Sequence, residues 1–234
     1  MKPYERIFVA LDTPDIDKAL GLTQSLKGLV GGIKLGKEFF TSCGPEGVKR
    51  IAAFGMPIFL DLKYHDIPNT VAGAVRSSLG LNPFMLNVHA SGGRAMMVAA
   101  AKAAAEAAPK RPLVIAVTVL TSMNRTDLAE VGIDAEPIEH VMRLARLAKE
   151  SGLDGVVCSA KEVVALRGNV GPDFKLVVPG IRPQWAAKDD QKRVVTPRDA
   201  IDLGADYLVI GRPITASDNP PEAAKRIAAE LPDS

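Results

Sequence analysis

The sequence predicts the α/β class, as a single (β/α)8 or TIM barrel over residues 1–234. Two observations carry this reading. Short apolar runs alternate with longer stretches of helical period about eight times, the pattern of successive βα units around a parallel sheet. The first run is followed by Asp12-Thr13-Pro14 and not by the GxGxxG turn of a doubly wound open sheet, which favours closure. A length of 234 residues with 47% hydrophobic and 24% charged residues suits one such domain. No linker or low-complexity tract interrupts the pattern, so no domain boundary is drawn.

The candidate strands are Ile7 to Leu11, Gly32 to Leu35, Ile58 to Leu62, Met85 to His89, Leu113 to Thr118, Gly155 to Cys158, Lys175 to Val178 and Tyr207 to Ile210. Between them, Gly92 to Ala108 is rich in alanine, the best helix former. Ile138 to Ser151 spaces Ile138, Val141, Met142, Ala145 and Ala148 on one face before Gly152 stops the helix. Thr196-Pro197 reads as an N-cap followed by proline in the first helical turn.

A net charge of +2 gives no reason to expect a nucleic-acid or membrane partner, so any basic site must be local. Cys43 and Cys158 lack CxxC spacing and favour neither a disulfide framework nor zinc. His65, His89 and His140 fall in separate elements without ligand spacing, and no metal is expected. The N-terminal apolar run is far shorter than a signal sequence, and no stretch approaches the roughly 18 apolar residues of a spanning helix. The expected location is cytoplasmic.

Strands of a parallel barrel are covered by helices outside and filled by side chains inside, so a charge on one is costly unless it lies at the open mouth or has a partner. In Ile58-Phe59-Leu60-Asp61-Leu62-Lys63, the strand period of two puts Asp61 and Lys63 on one side. Asp12 ends the first strand, Lys34 lies in the second, and Asp66 follows Lys63 by three residues. Two lysines and three carboxylates thus converge on the C-terminal rim, where barrel enzymes keep their chemistry. Each also has a plain reading: Asp12 as the start of a turn, Asp66 as a helix N-cap, Lys34 as a side chain reaching out to water. Arg182, Gln191, the Gly211 amide and Arg212 follow the seventh and eighth strands, where barrels often bind phosphate. The long connection from Pro179 to Val195, with Trp185, Lys188, Asp189, Asp190 and Gln191, reads as a lid, and Trp185 as a structural residue within it.

The stretch Asp61-Leu62-Lys63-Tyr64-His65-Asp66-Ile67-Pro68-Asn69-Thr70 resembles the DxKxxDIPxT signature of the orotidine 5'-phosphate decarboxylases. Ala10-Leu11-Asp12, Ile33-Lys34-Leu35-Gly36, Thr118 to Ser122, Pro179-Gly180-Ile181-Arg182, Asp190 to Arg193 and Gly211-Arg212-Pro213-Ile214 follow in that family's order, so the resemblance covers nearly the whole chain. It implies decarboxylation of orotidine 5'-monophosphate to UMP, the last step of pyrimidine nucleotide synthesis, without a cofactor. By resemblance Lys34, Asp61, Lys63 and Asp66 form a catalytic charged network. Asp66 and Thr70 then reach into the neighbouring subunit's site, which implies a homodimer. Asp12 and Lys34 would touch the ribose, Thr121 and Ser122 the pyrimidine, and Pro179, Arg182, Gln191, Gly211 and Arg212 the remainder of the nucleotide.

The sequence is also similar to the magnesium-dependent 3-keto-gulonate 6-phosphate decarboxylases, which retain a DxKxxD core. Those relatives typically carry glutamate in the second strand where this chain has Lys34, which argues against a magnesium site. A non-catalytic nucleotide-binding protein is a further alternative, disfavoured by a lysine held beside two carboxylates.

Overall fold

The computed structural model describes residues 1–186 and 195–232. Strands β1 (Ile7–Ala10), β2 (Gly32–Gly36), β3 (Ile58–Tyr64), β4 (Met85–His89), β5 (Leu113–Val117), β6 (Gly155–Val157), β7 (Lys175–Pro179) and β8 (Tyr207–Ile210) are all parallel. Each pairs with the next, and β8 pairs with β1, closing the barrel. The helices are α1 (Ile16–Leu26), α2 (Lys37–Ala52), α3 (Pro68–Leu79), α4 (Gly93–Ala105), α5 (Arg125–Glu130), α6 (Pro137–Glu150), α7 (Val163–Val170), α8 (Pro197–Asp202), α9 (Arg212–Thr215) and α10 (Pro220–Glu230). The expected strands are all present, with ends that differ by two residues or fewer.

Two helical expectations need correction. α4 ends at Ala105 and not Ala108, because the chain leaves the helix through a turn before Pro109, which cannot donate a helical hydrogen bond. In α6 the buried stripe is Val141, Leu144, Ala145 and Ala148, while Ile138 is 38% exposed. Ile138 stands in the first turn at the edge of that stripe, and Leu144 occupies its centre. Thr196 as N-cap and Pro197 at the start of α8 are as expected, and Asp199 adds a capping box to them.

Alternation along the strands divides the apolar residues into two clusters. Outward-facing residues such as Ile7, Val9, Ile33, Leu35, Leu86 and Val88 join the helices in the larger one. Phe8, Phe59, Met85, Ile115, Val177 and Tyr207 fill the barrel interior. Phe8 is the centre of this plug, edge-on to Phe59 at 6.4 Å and to Tyr207 at 5.5 Å. Gly32 makes room for it, since a methyl there would collide with the Phe8 ring and the Pro57 carbonyl. The plug makes the barrel a closed-bottomed cup, in which only side chains beyond it toward the strand C-termini can meet a ligand. Among the described residues no helix is long and apolar enough to cross a membrane.

Candidate active site

The inward face of β2 reads Gly32, Lys34, Gly36. Lys34 stands directly above the apolar plug and is only 8% exposed, so it does not reach out to water. Its ammonium Nζ lies 3.1 Å from Asp12 Oδ1 and 3.4 Å from Asp61 Oδ2. Asp12 lies two residues beyond the end of β1 and is held beside Lys34 by the Leu11 amide, which donates to the Lys34 carbonyl at 3.0 Å. Gly36 completes the arrangement: a methyl at this position would sit 2.9 Å from Lys34 Nζ and 3.2 Å from Asp12 Oδ1.

Asp61 and Lys63 do share the mouth, with Lys63 Nζ 2.6 Å from Asp61 Oδ1. Simple pleat alternation is not the reason. Lys63 has φ +53, in the left-handed region that non-glycine residues avoid. Leu60 pairs with Leu86 and Tyr64 with Val88, so β3 advances four residues while β4 advances two. The irregularity is bridged by Asn87, a fully buried side chain in the centre of β4. Its Oδ1 accepts from the Lys63 amide at 2.7 Å, and its Nδ2 donates to Asp61 Oδ1 at 2.7 Å.

The result is a ladder of alternating charge: Asp12, Lys34, Asp61, Lys63. Burial alone would raise the Asp61 carboxyl, but the Lys34 and Lys63 charges and the hydrogen bonds from Lys63 and Asn87 more than offset it. They hold the group below the usual carboxylate range. Farther out on β4, burial together with the positive neighbours His65, Lys37 and Lys63 lowers His89. His65 stacks on His89 with ring centroids 5.3 Å apart.

These residues line a cavity of about 380 Å³ above the plug, within the range of small-molecule sites. The cavity brings together Asp12, Lys34, Asp61, Lys63, Thr121, Pro179, Arg182, Gly211 and Arg212. Its two sides differ in character. Strands β1 to β3 supply the charge ladder, while the segments after β7 and β8 supply Arg182 and Arg212, neither of which is ion-paired with a carboxylate among the described residues. Between the two, Val117, Val119, Val157 and Val209 give an apolar wall.

Asp66, Thr70 and Ser122 do not line this cavity. Asp66 is exposed on the connection to α3, where its Oδ1 accepts from the Ile67 amide at 2.6 Å, and Ile67 is the N-cap. Within one chain the rim therefore gathers two lysines and two carboxylates, with Asp66 outside the ladder. Thr70 is exposed in the first turn of α3. Ser122 lies in the turn closed by the Met123 amide on the Leu120 carbonyl, which carries Thr121 to the cavity and Ser122 away from it. Gln191, with Lys188, Asp189 and Asp190 of the expected lid, lies outside the described residues. Trp185 does not line the cavity; its indole donates to Glu230 at 2.9 Å and lies under the Arg226 guanidinium at 4.5 Å. Among the described residues no group of three or more His, Cys, Asp or Glu side chains is placed to hold a metal ion.

The sequence reading missed Asn87 and Gly36 as site residues. Asn87 had a legible signal: a lone amide in the apolar strand Met-Leu-Asn-Val-His has to find partners when buried.

The chain matches the family model of the orotidine 5'-phosphate decarboxylase / HUMPS family over residues 5–227. It is 54% identical over 230 residues to an orotidine 5'-phosphate decarboxylase of Rhodospirillum rubrum, covering 96% of this chain and 93% of that one. A second such enzyme, from Paramagnetospirillum magneticum, is 52% identical over 96% of this chain and 97% of its own. The crystal structure of orotidine 5'-phosphate decarboxylase from Lactobacillus acidophilus superposes with a TM-score of 0.87 at 36% identity, covering 96% of this chain and 98% of that one. Fold, charge ladder and similarity agree, and the chain belongs to the orotidine 5'-phosphate decarboxylase / HUMPS family.

Proposed function

We propose that the chain converts orotidine 5'-monophosphate to UMP and CO2 without a cofactor. The observation that carries this reading is the ladder Asp12, Lys34, Asp61, Lys63 in one cavity whose far side presents Arg182 and Arg212. Breaking the bond from C6 to the carboxylate releases CO2 and leaves the electron pair in an in-plane orbital on C6, without delocalisation into the ring. With no electron sink available, the stabilisation has to be electrostatic. The Lys63 ammonium neutralises the developing charge and then supplies the proton that becomes the C6 hydrogen of UMP. Asp61, 2.6 Å from that ammonium, keeps it charged and oriented, and its own negative charge crowds the departing carboxylate. Arg182 and Arg212 with the Gly211 amide grip the 5'-phosphate, with Gln191 as a further partner, and so provide binding energy remote from the reacting carbon. Asp12 and Lys34 hold the ribose, and Thr121, with Pro179, borders the base.

The active form is a homodimer in which Asp66 and Thr70 of each subunit complete the other's site. Their exposure on a segment that also carries Ile67, 67% exposed, supports this role. A cytoplasmic location fits an enzyme of nucleotide synthesis.

The direct test is UMP formation from orotidine 5'-monophosphate in EDTA. Turnover under chelation is expected; absence of turnover, or its restoration by magnesium, refutes the reading and favours a metal-dependent sugar-phosphate decarboxylase. Lys63→Ala should abolish turnover while leaving UMP binding largely intact, and near-normal turnover would remove the proton-donor assignment. Mixing inactive Lys63→Ala with inactive Asp66→Ala should restore about a quarter of the parent activity, since random pairing makes half of all dimers mixed and each then has one intact site. No recovery would refute the shared site.

A further inference from the structure

Three of the buried polar side chains among the described residues bond back to their own helix: Thr23 to the Ala19 carbonyl, Ser78 to Ala74 and Ser151 to Leu147. Asn87 differs. It has no exposed surface, and its two ends bond to a backbone amide and a carboxylate of the neighbouring strand. Both partners belong to the charge ladder: the amide is that of Lys63 and the carboxylate that of Asp61.

The amide group matches this task chemically. β3 leaves the β4 ladder between Leu60 and Tyr64, so the Lys63 amide has lost the regular strand partner it would otherwise have. A buried donor without a partner is costly, and the Asn87 carbonyl oxygen supplies one. The same group's NH2 donates to the Asp61 oxygen that also receives Lys63 Nζ, leaving the other carboxylate oxygen to Lys34. One planar side chain thus ties the left-handed backbone of Lys63 to the orientation of Asp61. A carboxylate has no donor for Asp61, a hydrocarbon has neither function, and a hydroxyl is too short to span both.

Building on the proposed decarboxylation, we infer that Asn87 is a positioning residue for the reaction. It does not touch substrate. It sets the Lys63 side chain toward the reacting carbon by fixing its backbone, and keeps Asp61 ionised and turned so that one oxygen faces each lysine. Misplacing a reacting group by about 1 Å costs on the order of 100-fold in rate, whereas the phosphate grip across the cavity is untouched.

Asn87→Ala and the isosteric Asn87→Asp test this. Asn87→Ala should lower kcat about 100-fold while the Kd of UMP stays within about threefold, because the defect lies in placing the proton donor. In Asn87→Asp, the protonated new carboxyl can still donate to Asp61 and accept from Lys63, whereas its ionised form faces Asp61 as a like charge. The groups around this pair are Lys34 from β2, Lys63 from β3 and His89 from β4, with Asp12 beyond Lys34. The kcat of Asn87→Asp should therefore improve toward low pH relative to the parent.

A readout that needs no substrate is the 13Cγ titration of Asp61 by NMR, which should move upward in both variants. Loss of the amide donor removes one of the bonds that hold the carboxyl down, and a second carboxyl adds repulsion. A kcat loss below tenfold in both folded variants, a loss carried by KM alone, or an unmoved Asp61 titration would overturn the inference. Should Asn87→Ala fail to fold, Asn87→Asp decides alone. Should the parent show no turnover of orotidine 5'-monophosphate, the functional reading falls and the Asp61 titration still judges the positioning role.

Discussion

Replacing Lys34 by methionine removes one charge from the middle of the ladder while keeping an unbranched stem of similar length. Lys34 has 10% of its side chain exposed and lies 3.1 Å from Asp12 and 3.4 Å from Asp61. Removing one partner of a fully buried ion pair costs about 3–5 kcal/mol, because the other charge is left without compensation. Two features reduce that figure here. The Asp12 side chain is 57% exposed, and Asp61 keeps Lys63 at 2.6 Å and Asn87 at 2.7 Å. The expected cost is therefore about 1–3 kcal/mol at neutral pH, or about 2–12 °C in Tm for a chain of this size.

The pH dependence follows from Asp61. Burial raises its carboxyl, and the Lys34 charge is the largest of the influences that lower it. A carboxyl depressed in the folded state contributes stability that is fully present above its unfolded value, near 3.8, and is lost as pH falls through the folded value. Without Lys34 the depression shrinks or reverses, so the variant forgoes this contribution. The gap in Tm between parent and Lys34→Met, measured by calorimetry, should be widest at about pH 5 to 7 and close as pH falls below about 4. A gap that is absent, or constant down to about pH 3, would refute the assignment of Lys34 as the principal counter-charge of Asp61.

Three further outcomes are expected. Lys63→Gly should melt above Lys63→Ala by about 2–4 °C, because the left-handed backbone at φ +53 costs alanine about 1 kcal/mol that glycine avoids; equal melting temperatures would mean that the backbone relaxes. Gly36→Ala should fold with a change below about 1 kcal/mol, since the atoms it meets are mobile side-chain ends, yet lower kcat/KM about tenfold or more by displacing Lys34 or Asp12. Arg212→Ala should weaken UMP about 10- to 100-fold and leave the much weaker binding of uridine unchanged, as loss of a charge-assisted bond to phosphate alone requires; equal loss for both ligands in calorimetric titrations would contradict a phosphate grip.

The barrel was legible because parallel strands buried on both faces read as unbroken apolar runs, and all eight stand out against alanine-rich or amphipathic helices. The lysines and carboxylates of the ladder were legible for a related reason: a charge inside such a run has to be explained. Asn87 escaped that logic because an uncharged amide raises less alarm, although its burial demands partners just as firmly. The left-handed Lys63 was not legible at all. Nothing in Leu-Lys-Tyr marks a register break, which arises only when β3 is laid against β4 and the Asn87 amide replaces the missing ladder bond.

Closure between the first and last strands carries a consequence for biogenesis. A nascent chain that has emerged only through β6 already holds Asp12, Lys34, Asp61, Lys63 and Asn87, but β1 is still an open edge and the arginine-bearing rim is not yet made. Pairing of Tyr207–Ile210 with Ile7–Ala10 is what brings Gly211 and Arg212 to the rim opposite the ladder. The complete cup therefore depends on strands from both ends of the chain, the charge ladder on the first three and the Arg212 rim on the last.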